Sequence, residues 1–443
     1  MGDSIQAALT AGFSCPIRDI LWGHVYFTPE LAALTDSAPF MRLHRILQLG
    51  PVYRVYPGAT HTRAGHSIGV YHLGRRLLQN LAERGMADGS VSQNLLSCEG
   101  VMSFLCACLL HDLGHFPYTH SLKELPLRSH ESLTGSIILS EPMKSLIGAC
   151  GADPALTAAI VDKELSCTGG SAEGGGNSAC DTNTELHFYR KLLSGCLDPD
   201  KLDYLNRDAR YCGVPYGAQD VDFILSRLYP DPQRGADIDS RLIPNVEAVL
   251  FSKYLMYRTV YWHRQVRSAT SMIKKALINS LESGEIADGD LYNLDDQSLF
   301  FLLRGKTSGT LVETVWNGGL YSTIAEIPFN EADHACLKDI HGRSRREELL
   351  AGEFRRAGVP LGRDDLIIDV PEPVSFETGL FVLDENCSFT ESSSAFKTET
   401  LLSFVKTLYT IRIFVNPEFS GKIETLSGLY DILKGKKWLG RID

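Results

Sequence analysis

Residues 101–120 read VMSFLCACLLHDLGHFPYTH. The stretch from about Val101 to Leu113 is apolar nearly all round, which predicts a buried helix, and Gly114 and Pro117 then bend the chain away. At the end of that helix an imidazole and a carboxylate stand side by side, His111 and Asp112. Burying both in apolar surroundings is costly unless something compensates. A divalent ion is one such compensation, because neutral imidazole nitrogen and carboxylate oxygen are ordinary ligands for zinc, manganese or iron. More than half of the 13 histidines fall between His61 and His130.

Two residues rarely complete a metal site. The upstream candidate is His66 in HTRAGHSIGV, at the start of a predicted helix, and the downstream candidate is Asp200 in CLDPDKLDYLNRD. Both sit on helices expected to pack against the one that ends at His111. Two histidines and two aspartates leave open positions on an octahedral ion for water and a substrate oxygen. A lone HD dipeptide is weak; H-x-R-x-x-H before it and D-x-D-K-x-D-Y after it make the pattern specific.

Outward from this centre, helical periodicity covers Phe40 to Leu47, Ser67 to Arg84, 186–195, 200–211, 220–228 and one long run over 245–282. The segment 166–184, rich in Gly, Ser and Thr, reads as a surface loop or linker, with a lid as the alternative. After about residue 325, LIIDV, GLFVLD and TIRIFV have the β-branched and aromatic content of strands. The expected fold is therefore mostly α: a helical domain over 1–325 and a smaller α/β region over 326–443.

The chain has 443 residues, 44% of them hydrophobic, and a net charge of -11. That is a folded globular composition, and its acidity argues against a stable nucleic-acid binder. The 11 cysteines show no CxxC pair and read as buried reduced thiols. No stretch approaches the length of a membrane span, so the cytoplasm is the expected compartment.

HTRAGHS, HDLGHFPYTH, SHES and DPDKLDYLNRDA together resemble the HD-domain deoxynucleoside triphosphate triphosphohydrolases, dGTPase-like enzymes and the sterile-alpha-motif-and-HD type, here without the sterile-alpha-motif domain. The resemblance starts at PFMRLHRILQLGPVYRVYPGATHTR, runs on through MYRTVYWHRQVRS, and covers roughly residues 17 to 280. It implies an HD helical phosphohydrolase core that hydrolyses dGTP and other deoxynucleoside triphosphates to deoxynucleoside and tripolyphosphate. The alternative is an HD phosphohydrolase for another nucleotide or a phosphomonoester.

By the same resemblance, His66, His111, Asp112 and Asp200 hold one divalent ion (Mn, Fe, Zn, Ni or Mg), with room for a second on the substrate phosphates. His115 and His130, with Glu131 beside the latter, match the catalytic positions. Arg63, Lys201 and Arg258 match the phosphate-holding positions, with Tyr204 nearby. Gln48 and Leu49 match a sugar-contacting pair, and Asp208 a carboxylate that meets the 3′-hydroxyl. Taken alone, Arg63, Lys201 and Arg258 read as helix-surface charges, Tyr204 as core, and His115 and His120 as capping or core histidines. His61, His72, His187 and His263 read as structural.

The chain also departs from the family pattern. Lys123 stands where a carboxylate supports the catalytic histidine, with Glu124 next to it. Val266 falls near a tyrosine that crowds the sugar 2′ position. Asp36 matches a base-reading carboxylate of a nucleotide-activator site, but His44 replaces its arginine. A homo-oligomer is expected by analogy.

Overall fold

The computed structural model describes residues 2–88, 96–166, 182–372, 374–434 and 436–439. The expected Gly/Ser-rich loop at 166–184 lies almost wholly outside them. An N-terminal antiparallel hairpin, β1 (Cys15–Asp19) and β2 (Gly23–Phe27), leads into the helical part. There α1 (Arg63–Asp88) packs between α2 (Cys98–Leu110) and α4 (Pro199–Cys212). The apolar run is buried along α2 from Gly100 to Leu110 apart from Met102, and Ser97 caps its start by accepting the Gly100 N–H. Asp198 caps α4, and Gly213, left-handed at φ 67°, ends it.

Two glycines set the closeness of these elements. A Cβ on Gly69 would lie 1.9 Å from Asp203 Oδ1, so only glycine lets α1 approach α4 here. A Cβ on Gly114 would lie 2.1 Å from the His130 carbonyl oxygen and 2.5 Å from the Thr134 nitrogen. The glycine of HDLGH thereby admits α3 (His130–Ile138) against the turn that follows α2.

The long helix expected over 245–282 is two helices, α5 (Ile243–Met256) and α6 (Arg264–Glu282). A π turn, Tyr257–Tyr261, separates them, with the Trp262 N–H donating to the Tyr257 carbonyl at 2.9 Å. His263 leaves the helical region at ψ 135° and caps α6. The turn is tied from outside: the Tyr56 hydroxyl donates to the Thr259 carbonyl at 2.9 Å, and the Tyr261 hydroxyl donates to Asp208 at 2.6 Å. Such an insertion is invisible to periodicity, because the apolar spacing resumes beyond it.

The pattern at 220–228 is helical only over Val221–Ser226, after which β3 (Leu228–Asp231) pairs antiparallel with β4 (Gly235–Ile238). Of the C-terminal strands, β5 (Ser322–Pro328), β6 (Leu366–Asp369) and β9 (Thr410–Val415) form an antiparallel sheet in the order β5-β9-β6, with α7 (Ile340–Arg356) packed on β6. The third run, GLFVLD, contributes only β7 (Phe381–Val382), which pairs with β8 (Cys387–Ser388) and, through Val382 and Ile238, with β4 of the helical part. β5 runs across position 325, and Leu380, Val382, Phe389 and Leu401 are buried in the same core as α1 and α2. Among the described residues, no helix is long and apolar enough to cross a membrane.

Gly69→Ala is expected to cost about 1–3 kcal/mol of stability, the usual range for forcing atoms into a packed contact. Gly148→Ala, on a helix with nothing within 4 Å of the new Cβ, serves as the control and should be neutral or stabilising by up to about 1 kcal/mol. Urea denaturation midpoints of the two variants check this; equal midpoints would refute the close-approach argument.

Candidate metal centre

His66, in the first turn of α1, and His111 and Asp112, at the end of α2, bring one ligand atom each within 4.8 Å of one another. Asp200, in the first turn of α4, adds a carboxylate oxygen 3.0 Å from His66 Nε2. The orientations are fixed from behind. His66 Nδ1 lies 2.9 Å from Asp203 Oδ2, and His111 Nδ1 lies 2.9 Å from the Cys108 carbonyl. With a cation bound, a proton on each Nδ1 alone would leave both Nε2 lone pairs facing the same space. His111 Nε2 is buried and makes no hydrogen bond.

The electrostatics of this corner call for a cation. Burial alone would push His66 towards neutrality, but its bonds to Asp200 and Asp203 prevail and raise it to about 10. Burial likewise opposes ionisation of Asp200, yet His66, His111 and Lys201 hold it well below the usual carboxylate range. Two imidazole nitrogens and two carboxylates, one nitrogen unpartnered, form a donor set that fits a divalent ion.

Next to this corner the chemistry changes. Asp112 Oδ2 accepts from Arg63 Nη1 at 2.7 Å, and its Oδ1 is 3.1 Å from His115 Nε2. The His115 ring stacks on His130 with centroids 4.0 Å apart, and His120 closes the group at 4.7 Å from His115 and 5.2 Å from His130. Burial, and then the nearby Arg63 and His130, hold His115 well below the ordinary histidine value. At His130 burial outweighs Glu131 and Asp112 and lowers it as well. Glu131 is half-exposed and touches the site only through His130, with Oε2 3.1 Å from Nδ1.

A cavity of about 560 Å³ opens over both clusters, within the range for small-molecule sites. Gln48, Leu49, Arg63, Lys201, Tyr204 and Asp208 line it together with the metal group, His115 and His130. Asp208 is held by His61 Nε2 at 2.8 Å and by the Tyr261 hydroxyl. Lys201 Nζ donates to Asp198 at 2.7 Å and to the Gly195 carbonyl at 2.9 Å.

Arg258 is a correction. It is exposed, donates to the Tyr254 hydroxyl at 2.7 Å, and stands outside the cavity wall, because the π turn presents Tyr257 and Tyr261 to the cavity in its place. Glu124 does not stand in for the missing carboxylate either: it is paired with Lys274 and Arg343. Lys123 and Val266 do line the cavity.

Sequence reasoning missed several residues. Asp203 holds His66, a role its i+3 spacing from Asp200 on a helix would have suggested. Arg42 supports the HD turn by donating to the carbonyls of Leu113 and His115. Lys253 and Glu377 line the cavity from segments that carry no motif, and Tyr261 lines it from within MYRTVYWHRQVRS.

A family model described as the HD associated region matches residues 235–425. The uncharacterized protein YwfO of Bacillus subtilis is 33% identical over 246 residues, 55% of this chain and 50% of its own length. The deoxynucleoside triphosphate triphosphohydrolase SAMHD1 of Bos taurus is 26% identical over 358 residues, 74% of this chain and 57% of its own. The chain spans about half the length of the curated relatives it matches. A crystal structure of a phosphohydrolase from Bacteroides thetaiotaomicron superposes with a TM-score of 0.66 at 21% identity, over 90% of this chain and 99% of that one. With the HD motif at the end of a buried helix and the helical core around it, the chain is similar to HD-domain proteins, a deoxynucleoside triphosphate triphosphohydrolase among them.

Proposed function

We propose that the chain hydrolyses deoxynucleoside triphosphates to deoxynucleoside and tripolyphosphate, with His66, His111, Asp112 and Asp200 as ligands of one divalent ion. What carries the reading is that one cavity joins a cation-demanding corner, a stack of neutral histidines, several Arg and Lys side chains and a polar wall at Gln48 and Asp208. A divalent ion bound there would supply Lewis acidity towards a phosphoryl oxygen and make water more acidic. Arg63, already against Asp112, faces the phosphoryl group and offsets charge that develops on it. Lys201 holds the phosphate chain, and Gln48, Leu49, Tyr204 and Asp208 orient the sugar.

The departing 5′-oxygen needs a proton. His130 is placed to give it, with Glu131 on Nδ1 leaving Nε2 to face the cavity, and His115 stacked against it. Burial holds His130 below the ordinary histidine value; the charge of a bound triphosphate adds to that of Glu131 in favouring the imidazolium form. Val266 leaves the sugar 2′ position less crowded than a tyrosine would. A homo-oligomer and a nucleotide activator belong to the same reading, with Asp36 at the activator position.

Product analysis tests the reaction. Nucleoside and tripolyphosphate are expected from each deoxynucleotide, singly or in mixture, and a chelator, Asp112→Ala or Asp200→Ala should abolish them. Nucleoside monophosphate with pyrophosphate would overturn the reading, and faster turnover of ribonucleotides or phosphomonoesters would favour the alternative HD phosphohydrolase. Mixture-dependent rates would reveal the activator site.

Steady-state kinetics separate the two basic residues. Lys201→Ala should raise KM about 10- to 100-fold, the worth of one charge-assisted hydrogen bond. Arg258→Ala should stay within about threefold of wild type.

Buried His115 also predicts acid sensitivity. Its folded value lies below the ordinary value near about 6.5, so the unfolded chain takes up a proton first as pH falls. Stability is complete above that value and is lost on descending below it, by up to about 1.4 kcal/mol per pH unit. Urea midpoints at neutral and mildly acidic pH, with His115→Asn as the comparison of lower slope, measure this.

A further inference from the structure

Two cavity residues stand outside every motif. Lys253, on α5, donates through Nζ to Glu377 Oε2 at 2.8 Å, and Lys201 Nζ, on α4, lies 4.0 Å from the same oxygen. The lysine side chains are 8% and 14% exposed and that of Glu377 is 36% exposed. The Ser375 hydroxyl donates to the other Glu377 oxygen at 2.6 Å, which aims the carboxylate at the lysines.

The wall as a whole is lined by six Lys and Arg side chains and six carboxylates. Such a wall is a poor host for a triphosphate unless part of its negative charge is taken up or moved aside. Asp112 and Asp200 belong to the metal cluster. Asp208 is fixed by His61 and Tyr261, and Asp296 accepts the Leu47 N–H. Glu372, near Lys123 and Lys274, is raised by burial above the ordinary carboxylate value and makes no ion pair among the described residues. Glu377 is different in kind, because its partners are the cations that a phosphate chain would use.

The mechanical contrast points the same way. Both lysines are on helices, whereas Glu377 is on an irregular segment between β6 and β7. The carboxylate is the part that moves at least cost. We propose that Glu377 is a displaceable counter-anion: it masks Lys253 and Lys201, and the phosphate chain of a nucleoside triphosphate takes its place, so that Lys253 is a phosphate-binding residue. The proposal rests on the reading of this cavity as a nucleotide site.

The charge balance supports it. Although burial opposes ionisation, Lys253 and Lys201 pull Glu377 down to about 2, so the mask is ionised at any pH at which the protein works. Displacement gives up the Lys253 pair at 2.8 Å and the looser Lys201 pair at 4.0 Å. A chain of three phosphates offers several charged oxygens to the two lysines in return. A single phosphate offers fewer and gains less from displacing the mask.

Calorimetric binding of inorganic tripolyphosphate and of orthophosphate to the full chain tests this. Glu377→Gln should bind tripolyphosphate at least tenfold more tightly than wild type, with orthophosphate affinity unchanged within about threefold. Lys253→Gln introduced into Glu377→Gln should remove that gain. Tripolyphosphate binding by Glu377→Gln no tighter than wild type would overturn the proposal, and so would an undiminished gain in a folded double variant. The Glu377→Gln arm decides the matter even where the double variant does not fold. The readout is also independent of turnover. A chain that hydrolyses no deoxynucleotide yet shows the tripolyphosphate gain loses only its proposed activity. A chain that hydrolyses them without the gain loses only the role of Glu377.

Discussion

A single buried carboxylate, Asp203, holds the metal corner in shape. It is fully buried and accepts from Arg207 Nε at 2.8 Å, from Arg207 Nη2 at 2.9 Å and from Trp22 Nε1 at 2.7 Å, while His66 Nδ1 lies 2.9 Å away. Arg207 reaches on to Asp19 at 2.9 Å. The N-terminal hairpin, α1 and α4 are thus joined through one ion network. Burying such a network is favourable only when every lone pair and proton is used. Here completeness has a further effect: it fixes the His66 tautomer, and with it the direction of Nε2. The absent side chain of Gly69 is the steric condition for the whole arrangement.

Side by side, the histidines of this site obey opposite rules. His66 is drawn towards the charged form because two carboxylates address one ring. His115 shares a single carboxylate with Arg63 and lies between two other imidazoles, so charge on it is repelled as well as desolvated. A change of partner over a few ångströms divides the cavity floor into an anionic corner and a stack held towards the neutral form. On the proposed reading, the corner takes the cation and the stack handles the proton.

The sequence disclosed those parts of the site that short-range pattern encodes. His66, His111, Asp112 and Asp200 converge because each lies at a helix end that composition and spacing reveal; His115 and His130, which stack beside them, were legible only through the family resemblance. The lysine and carboxylate at 253 and 377 were not legible: one is an ordinary helix charge in the sequence, the other lies in a stretch without periodicity, and their meeting depends on tertiary packing alone. Arg258 was misplaced for a local reason, since one extra residue in a helical turn rotates every later side chain. The strands of the C-terminal region could be read from β-branched content, but not that LIIDV and TIRIFV would pair with each other while Phe381 and Val382 returned to the helical core.

That return makes the C-terminal region part of the cavity. Arg267 on α6 is paired with Asp369 at the end of β6, the Ser268 hydroxyl donates to the Tyr321 carbonyl at 2.9 Å, and Lys275 donates to the Leu366 carbonyl at 2.8 Å. These bonds hold the sheet against α6, so the chain leaving β6 must cross the cavity before it reaches β7. Val370, Glu372, Val374, Ser375 and Glu377 line the cavity as a result of that crossing. The matched region 235–425 takes in α5, the π turn, α6 and this crossing segment. It is therefore better understood as the second wall of one site than as an appendage to the helices that carry the HD motif: helix ends supply the metal corner, and the crossing segment supplies the carboxylate that stands over the lysines.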